Sequence, residues 1–136
     1  MTARTELERD AVIVACAISA GIHAALTPAH FAEGLGAGIG FLVATVLLAG
    51  LAVTLTRQDG TALWFLTSLA LAGLIASYLL AVTSGLPVLN PQPERVQGLA
   101  VATKIVEVVG LALAIDLLRH GRPAAAFHIS PKGTMT

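Results

Sequence analysis

The sequence predicts an all-α integral membrane protein, a bundle of four transmembrane helices. Of its 136 residues, 56% are hydrophobic and only 12% are charged, a composition typical of membrane proteins. The apolar residues also gather in four runs, each close to the ~20 residues with which a helix crosses ~30 Å of hydrocarbon. Strands are excluded, because lipid cannot satisfy unpaired backbone groups and no alternating pattern predicts a closed barrel.

The four runs predict spans at about residues 11–27, 34–56, 61–84 and 96–118. A charged N-terminal leader, residues 1–10, precedes the first span, and a flexible C-terminal tail, residues 119–136, follows the last. Thr27 and Pro28 match an N-cap followed by proline at the first helical position. We therefore expect the first span to end near Thr27 and a new helix to begin at Pro28.

The connections between the later spans are polar. The link 57–60 is short, so it predicts that the second and third spans are antiparallel neighbours. The segment 85–93 contains three prolines and predicts an irregular loop. An alternative interpretation of the first run is a secretory signal, because Arg4 and Arg9 precede it; the acidic residues of the same leader disfavour this, since they neutralise the positive charge that a signal needs.

Orientation follows from the basic residues near the ends of the spans. Four spans place both termini on one side, together with the 57–60 turn. That side carries Arg4, Arg9, Arg57, Arg119, Arg122 and Lys132. The opposite side carries Arg95, and Lys104 lies inside the fourth span. The positive-inside rule therefore predicts that both termini are cytoplasmic.

Charge and cysteine content exclude several classes of function. Eight basic residues balance eight acidic ones, so no basic field attracts nucleic acid, and the lipid bilayer is the expected partner. Cys16 is the single cysteine, which excludes an intrachain disulfide and two-cysteine thiol chemistry. The sequence also has no phosphate-binding or hydrolase motif, and no nucleophile and base can be paired. We therefore predict that the protein is not an enzyme, without excluding one.

Small residues at four-residue spacing occur in every run and predict close packing of the helices. They are Ala17 and Gly21; Gly36, Gly40 and Ala44; Gly73, Ser77 and Ala81; and Thr103, Gly110 and Ala114. Their presence on all four runs favours a compact bundle, and it leaves association into a homo-oligomer or with other membrane subunits open.

Four side chains of metal-binding type are predicted to converge at the outer end of the bundle. His23 shares a helical face with Cys16 and so points inward, while His30 and Glu33 share a face three residues apart. Glu107 projects from the fourth span at a similar depth. Imidazole with carboxylate suits zinc, copper, iron or manganese, so His23, His30, Glu33 and Glu107 are the candidate metal ligands.

Lys104 and Glu107 are ionisable residues inside a span, where each costs at least ~2.5–3.5 kcal/mol. Their i, i+3 spacing predicts that they pair with each other. Structural alternatives stay open for all five candidates. His23 is equally compatible with a buried histidine hydrogen-bonded across helices, His30 with an interfacial residue, and Glu33 with a carboxylate favoured by a helix N-terminus.

Several short motifs lie along the four spans: His23, Pro28-Ala29-His30-Phe31-Ala32-Glu33, the glycine-rich 38–41, Ser84-Gly85-Leu86-Pro87 and Glu107. In these motifs the chain resembles a family of small uncharacterised bacterial four-helix integral membrane proteins, and the resemblance covers most of residues 11–118. It implies a multi-pass protein of the bacterial inner membrane and singles out the same four candidate ligands. The relatives often carry a basic residue before Gly-Leu-Pro, which this chain lacks, so binding of an anion at that point is not implied.

Three hypotheses of function follow. The first is a membrane protein that binds a transition metal ion at its outer face through the four candidate ligands. The second is an accessory helical subunit of a larger membrane complex, whose polar residues only fix helix packing. The third is a small transporter or proton pathway that uses Glu107 and Lys104; the short chain and the lack of an internal repeat disfavour it unless the protein oligomerises.

Overall fold

The computed structural model describes residues 3–86, 93 and 95–120. They form four helices, α1 (Ala3–Glu33), α2 (Leu35–Arg57), α3 (Thr61–Thr83) and α4 (Gly98–His120). All four are long and apolar enough to cross a membrane, which confirms the predicted helical class and the number of candidate spans. The predicted tail lies outside the described residues except for the end of α4, and so does most of the predicted 85–93 loop.

The helices form a ring in which each one packs on two others. α1 packs closely on α2 and on α4, and α3 packs on α4, whereas α2 touches α3 only lightly. We call the end that holds the 58–60 turn the turn end; α1 begins there and α4 ends there. The opposite end, where α1 and α3 end and α2 and α4 begin, we call the cavity end.

The prediction of helix bounds is accurate for α2 to α4 and wrong for α1. The three later helices begin and end within two residues of the predicted spans. α1 begins eight residues earlier than predicted and continues through Pro28 to Glu33, so the leader is part of the helix and Pro28 starts no new one. Side chains add hydrogen bonds to backbone carbonyls around the proline, from Thr27 Oγ1 to His23 O (2.7 Å) and between His30 Nδ1 and Leu26 O (3.0 Å). Neither bond reaches Ala24 O, the carbonyl four residues before Pro28 that loses its helical partner there.

Arg9, in the predicted leader, joins α1 to the end of α2. Its guanidinium donates from both Nε and Nη2 to the carbonyl of Leu55. Leu55 is among the last four residues of α2, whose carbonyls have no partner inside the helix. Arg9 therefore supplies a donor to α2 at the turn end, a contact that the sequence does not predict.

Only some of the small residues that were predicted to pack between helices do so. Gly110 on α4 is buried, and a Cβ added there would lie 3.0 Å from Ala15 Cβ and 3.4 Å from Leu71 Cδ1. Gly21 and Gly73 instead face open space, with no atom within 4 Å of an added Cβ. α1 therefore uses the face of Ala15 for packing, and the predicted stripe of Ala17 and Gly21 lies on its exposed side.

Candidate functional site

A fully buried carboxylate lies near the middle of the bundle. Glu107 is 0% exposed and lies nine residues into α4, about 13 Å along a helix that rises 1.5 Å per residue. Its Oε2 accepts a hydrogen bond from Lys104 Nζ at 2.6 Å, as the i, i+3 spacing predicts. Its Oε1 accepts a second bond, also 2.6 Å, from Ser19 Oγ on α1. Both carboxylate oxygens therefore have a donor, and one of them comes from a neighbouring helix.

His23 extends this arrangement along α1. Its Nδ1 lies 2.8 Å from the carbonyl oxygen of Ser19 and 3.4 Å from Ser19 Oγ. The carbonyl can only accept, so Nδ1 carries the proton, and Nε2 of the neutral ring is left as an acceptor. His23, Ser19, Glu107 and Lys104 together form a polar chain inside the bundle, which we call the buried chain.

His30 lies apart from the buried chain because an aromatic ring separates the two histidines. Phe41 of α2 stacks on His30 with ring centroids 3.6 Å apart and lies 5.2 Å from the ring of His23. His30 Nε2 is 3.8 Å from Glu33 Oε2 on the same helix. The Glu33 side chain is 58% exposed, so it projects away from the bundle interior.

The four predicted metal ligands therefore do not meet. Within the described part of the chain, no three His, Cys, Asp or Glu side chains are grouped so that they can hold a metal ion. His23 approaches Glu107 through Ser19, and His30 approaches Glu33, but Phe41 lies between the two pairs. Glu107 is already engaged by Lys104 and Ser19. Metal binding by these residues stays a prediction.

A cavity of about 260 Å³ opens beside the buried chain and reaches the cavity end. All four helices line it. α1 contributes His23 and His30, α2 contributes Phe41, and α4 contributes Lys104, while Arg95 lies on the wall in the segment before α4. Comparison with protein-family models, with curated proteins and with solved structures finds no match to this chain. The assignment of a function therefore depends on this cavity and the buried chain.

The α3 wall of the cavity carries a hydroxyl without a partner. Tyr78 lines the cavity, and its Oη is buried and has no hydrogen-bond partner in the described structure. Lys104 Nζ lies 5.5 Å from the centroid of the Tyr78 ring, and it also donates a long bond of 3.4 Å to Leu74 O of α3. The hydroxyl oxygen is enclosed by the protein, so Tyr78 lines the cavity with other atoms of its side chain.

Sequence reasoning found part of this site and missed the rest. It correctly predicted that His23 and Glu107 face inward, at 7% and 0% exposure, and that Lys104 pairs with Glu107. It missed Ser19, Phe41 and Tyr78. Ser19 lies four residues before His23 on the inward face of α1, so the helical period contained a signal for it.

Proposed function

We propose that this chain is a multi-pass membrane protein that binds a small molecule between its helices. Small carriers and ligand sensors both depend on binding of this kind. The observation that carries the proposal is a cavity of about 260 Å³ between all four helices, with the Lys104 ammonium on its wall. Binding sites are commonly concave and largely apolar with a few placed polar groups. This volume falls just below the ~300–1,000 Å³ of sites for drug-sized ligands, so the ligand is small.

The buried chain supports binding over a purely structural role. An ionisable residue inside a span costs at least ~2.5–3.5 kcal/mol, and replacing a buried ion pair by apolar residues is often neutral or stabilising. A bundle that served only as an accessory subunit gains little from Lys104 and Glu107. A binding protein, in contrast, can use a charge beside its cavity to orient a polar ligand. The accessory-subunit alternative predicts stable co-purification with other chains.

A matched pair of variants tests the proposal. Ala100 lines the cavity, and Ala102, two residues later on α4, is exposed. Ala100→Phe adds a ring to the cavity, and Ala102→Phe adds the same ring to the lipid-facing surface. Saturation-transfer NMR on the detergent-purified protein then measures binding of three probes of one size, benzoate, benzamide and benzylamine. We expect at least one probe to bind the wild type and Ala102→Phe and to lose binding in Ala100→Phe.

Two results would contradict the proposal. If no probe binds the wild type, or if Ala100→Phe binds as the wild type does, the cavity is not a ligand site. The choice among the three probes does not affect this test, because any of them reports occupation of the cavity.

The orientation that we propose has both termini in the cytoplasm of a bacterial cell and the cavity end on the outer side. It is supported by four basic residues at the turn end, and two more in the sequence after α4, against Arg95 at the other end. In a Cys16→Ser background, we expect Glu33→Cys to react with a membrane-impermeant maleimide in intact cells. Gln58→Cys, at the turn end, reacts only after the cells are opened. The reverse pattern would place the cavity on the cytoplasmic side.

Metal binding is the second candidate, and one observation favours it. Both His23 and His30 hold Nδ1 against a backbone carbonyl, the arrangement that metal-bound histidines commonly show, and leave Nε2 as the free ligand atom. Metal content of the purified protein, measured by mass spectrometry for the wild type and His23→Ala, tests it. A near-stoichiometric metal lost in the variant supports a metal site, and no metal in either after reconstitution at neutral pH excludes it.

A further inference from the structure

Among the described residues, those that carry a formal charge on the cavity wall are all cations. Lys104 and Arg95 line the cavity, and no Asp or Glu among the described residues does. Glu107 does not line the cavity. Its carboxylate accepts a hydrogen bond from one of the three N–H groups of the Lys104 ammonium. The wall that a ligand meets is therefore positive, although the Lys104–Glu107 pair as a whole is neutral.

Hydrogen-bonding capacity is left over on the same wall. Two of the three N–H groups of Lys104 donate hydrogen bonds, one to Glu107 and one to Leu74 O. The third can turn toward the cavity. Arg95, which also lines the cavity, carries further charged N–H donors. Charged N–H donors suit the oxygens of a carboxylate.

The remaining wall suits a compact apolar body. Phe41 and the Tyr78 ring supply aromatic faces, and aliphatic side chains such as Leu26 and Leu74 complete the lining. An apolar cavity of 150 Å³ accommodates benzene, so about 260 Å³ accommodates one ring, or a chain of similar size, with an acidic group.

We infer that the ligand is a small monocarboxylic acid with an apolar body, and that it binds together with one proton. The inference rests on the proposed function. Arg95 is exposed, in the segment before α4, so Lys104 is the cation beside Glu107 in the buried part. A carboxylate bound to Lys104 while Glu107 stays ionised leaves two negative charges against one positive charge there, where an unpaired buried charge is expensive. Uptake of one proton by Glu107 restores neutrality and frees the Lys104 ammonium for the ligand. With the proton on Oε1 the hydrogen bond to Ser19 reverses, so that the Glu107 carboxyl donates and Ser19 Oγ accepts.

The buried chain supplies the route for that proton. His23 lines the cavity and lies 3.4 Å from Ser19 Oγ, which donates to Glu107 at 2.6 Å. A proton that arrives from the cavity on His23 Nε2 lets the ring release its Nδ1 proton to Ser19 Oγ, as Ser19 passes its own proton to Glu107 Oε1. The proton is then on the carboxyl, the hydroxyl is restored, and the neutral imidazole is left with its proton on Nε2. Loss of that proton and uptake of one at Nδ1 restore the bond from Nδ1 to Ser19 O.

Few other titratable groups face Glu107. α1 presents His23 and, two turns further in, Cys16, and it holds His30 on the far side of Phe41. α3 presents Tyr78, and α4 itself presents Lys104. α2 contains no titratable residue before Arg57, at the turn end. Among the described residues around the cavity, Glu107 and the two histidines are therefore the groups on which we place the proton.

Binding of benzoate and of its neutral isostere benzamide, measured between pH 6 and pH 8, tests the inference. Benzoate is ionised throughout this range, so uptake of one proton lowers its affinity by about tenfold for each unit that the pH rises. We expect benzamide to bind more weakly at pH 6 and to show no such slope. Equal affinity for benzamide and benzoate, or a benzoate affinity independent of pH, overturns the inference and leaves cavity binding intact.

Variants of the pair separate recognition from folding. Glu107→Gln keeps an acceptor for Ser19 and removes the need for the proton, so we expect benzoate to bind at pH 8 at least tenfold more tightly than to the wild type and without a pH slope. Lys104→Met combined with Glu107→Gln removes both charges together and loses the preference for benzoate over benzamide. Arg119→Met, at the exposed end of α4, is the matched control and binds as the wild type does. A retained slope in Glu107→Gln contradicts the assignment of the proton to Glu107.

Discussion

Removal of the Lys104 ammonium is the perturbation whose effect the structure predicts most closely. The two side chains are 15% and 0% exposed, and Nζ lies 2.6 Å from Oε2. Lys104→Met keeps most of the side-chain length and the apolar stem, but it leaves Glu107 with the Ser19 hydroxyl as its remaining donor. An ionised carboxylate inside the bundle then has no opposite charge beside it.

The magnitude follows from the burial of Glu107. Loss of one partner of a buried ion pair costs about 3–5 kcal/mol. Glu107 can limit the loss by taking up a proton, so we expect the free energy of unfolding to fall by about 3 kcal/mol at neutral pH and by less at low pH. Glu107→Gln has a smaller effect, about 1–2 kcal/mol, because its side chain keeps an acceptor for Ser19 and Lys104 can reach the cavity.

Titration with a denaturing detergent, followed by circular dichroism, measures these free energies as a double-mutant cycle. The neutral double variant, Lys104→Met with Glu107→Gln, buries no charge, so we expect its stability to lie within about 1 kcal/mol of the wild type. The single change Arg119→Met controls for the loss of a cation from α4. A double variant as unstable as Lys104→Met would refute the reasoning, because the defect would then come from packing rather than from an unpaired charge.

Two further changes test the packing of the bundle. Gly110→Leu forces a side chain into the space that Ala15 closes at 3.0 Å; we expect a loss of about 1–3 kcal/mol in the free energy of unfolding, and Gly21→Leu, on an open face, is the control that changes it little. Arg9→Met removes the donors that reach the end of α2; we expect a loss of about 1–2 kcal/mol, whereas Arg57→Met on the exposed end of α2 loses less than half as much. Equal effects within either pair contradict the contacts described.

The sequence predicts the fold well where one physical effect dominates. Hydropathy alone defines α2, α3 and α4 to within two residues, because a membrane helix must be apolar over its whole length. α1 is the exception. The rule that proline favours the first position of a helix is local, and it fails at Pro28, where α1 continues to Glu33. The same helix also takes in the charged residues from Ala3 onward, which hydropathy assigns to a leader.

The candidate site is predictable only where its contacts are local. Lys104 and Glu107 are three residues apart, so helical geometry alone pairs them. The bond from Ser19 joins residues 88 positions apart, and no spacing rule reaches that far. The position of Phe41 between His23 and His30 depends likewise on how α1 packs on α2. This is why four ligand-type residues that share one end of the bundle by sequence are divided into two pairs in the structure.

The stability cycle and the binding measurements together decide between packing and function for the Lys104–Glu107 pair. If the pair has only a packing role, the neutral double variant folds as well as the wild type and binds benzoate and benzamide as the wild type does. If the pair serves the cavity, the same variant folds equally well but no longer distinguishes a carboxylate from an amide. The double variant therefore separates the two roles in a way that neither single change can, because each single change leaves a charge inside the bundle that disturbs folding and binding together.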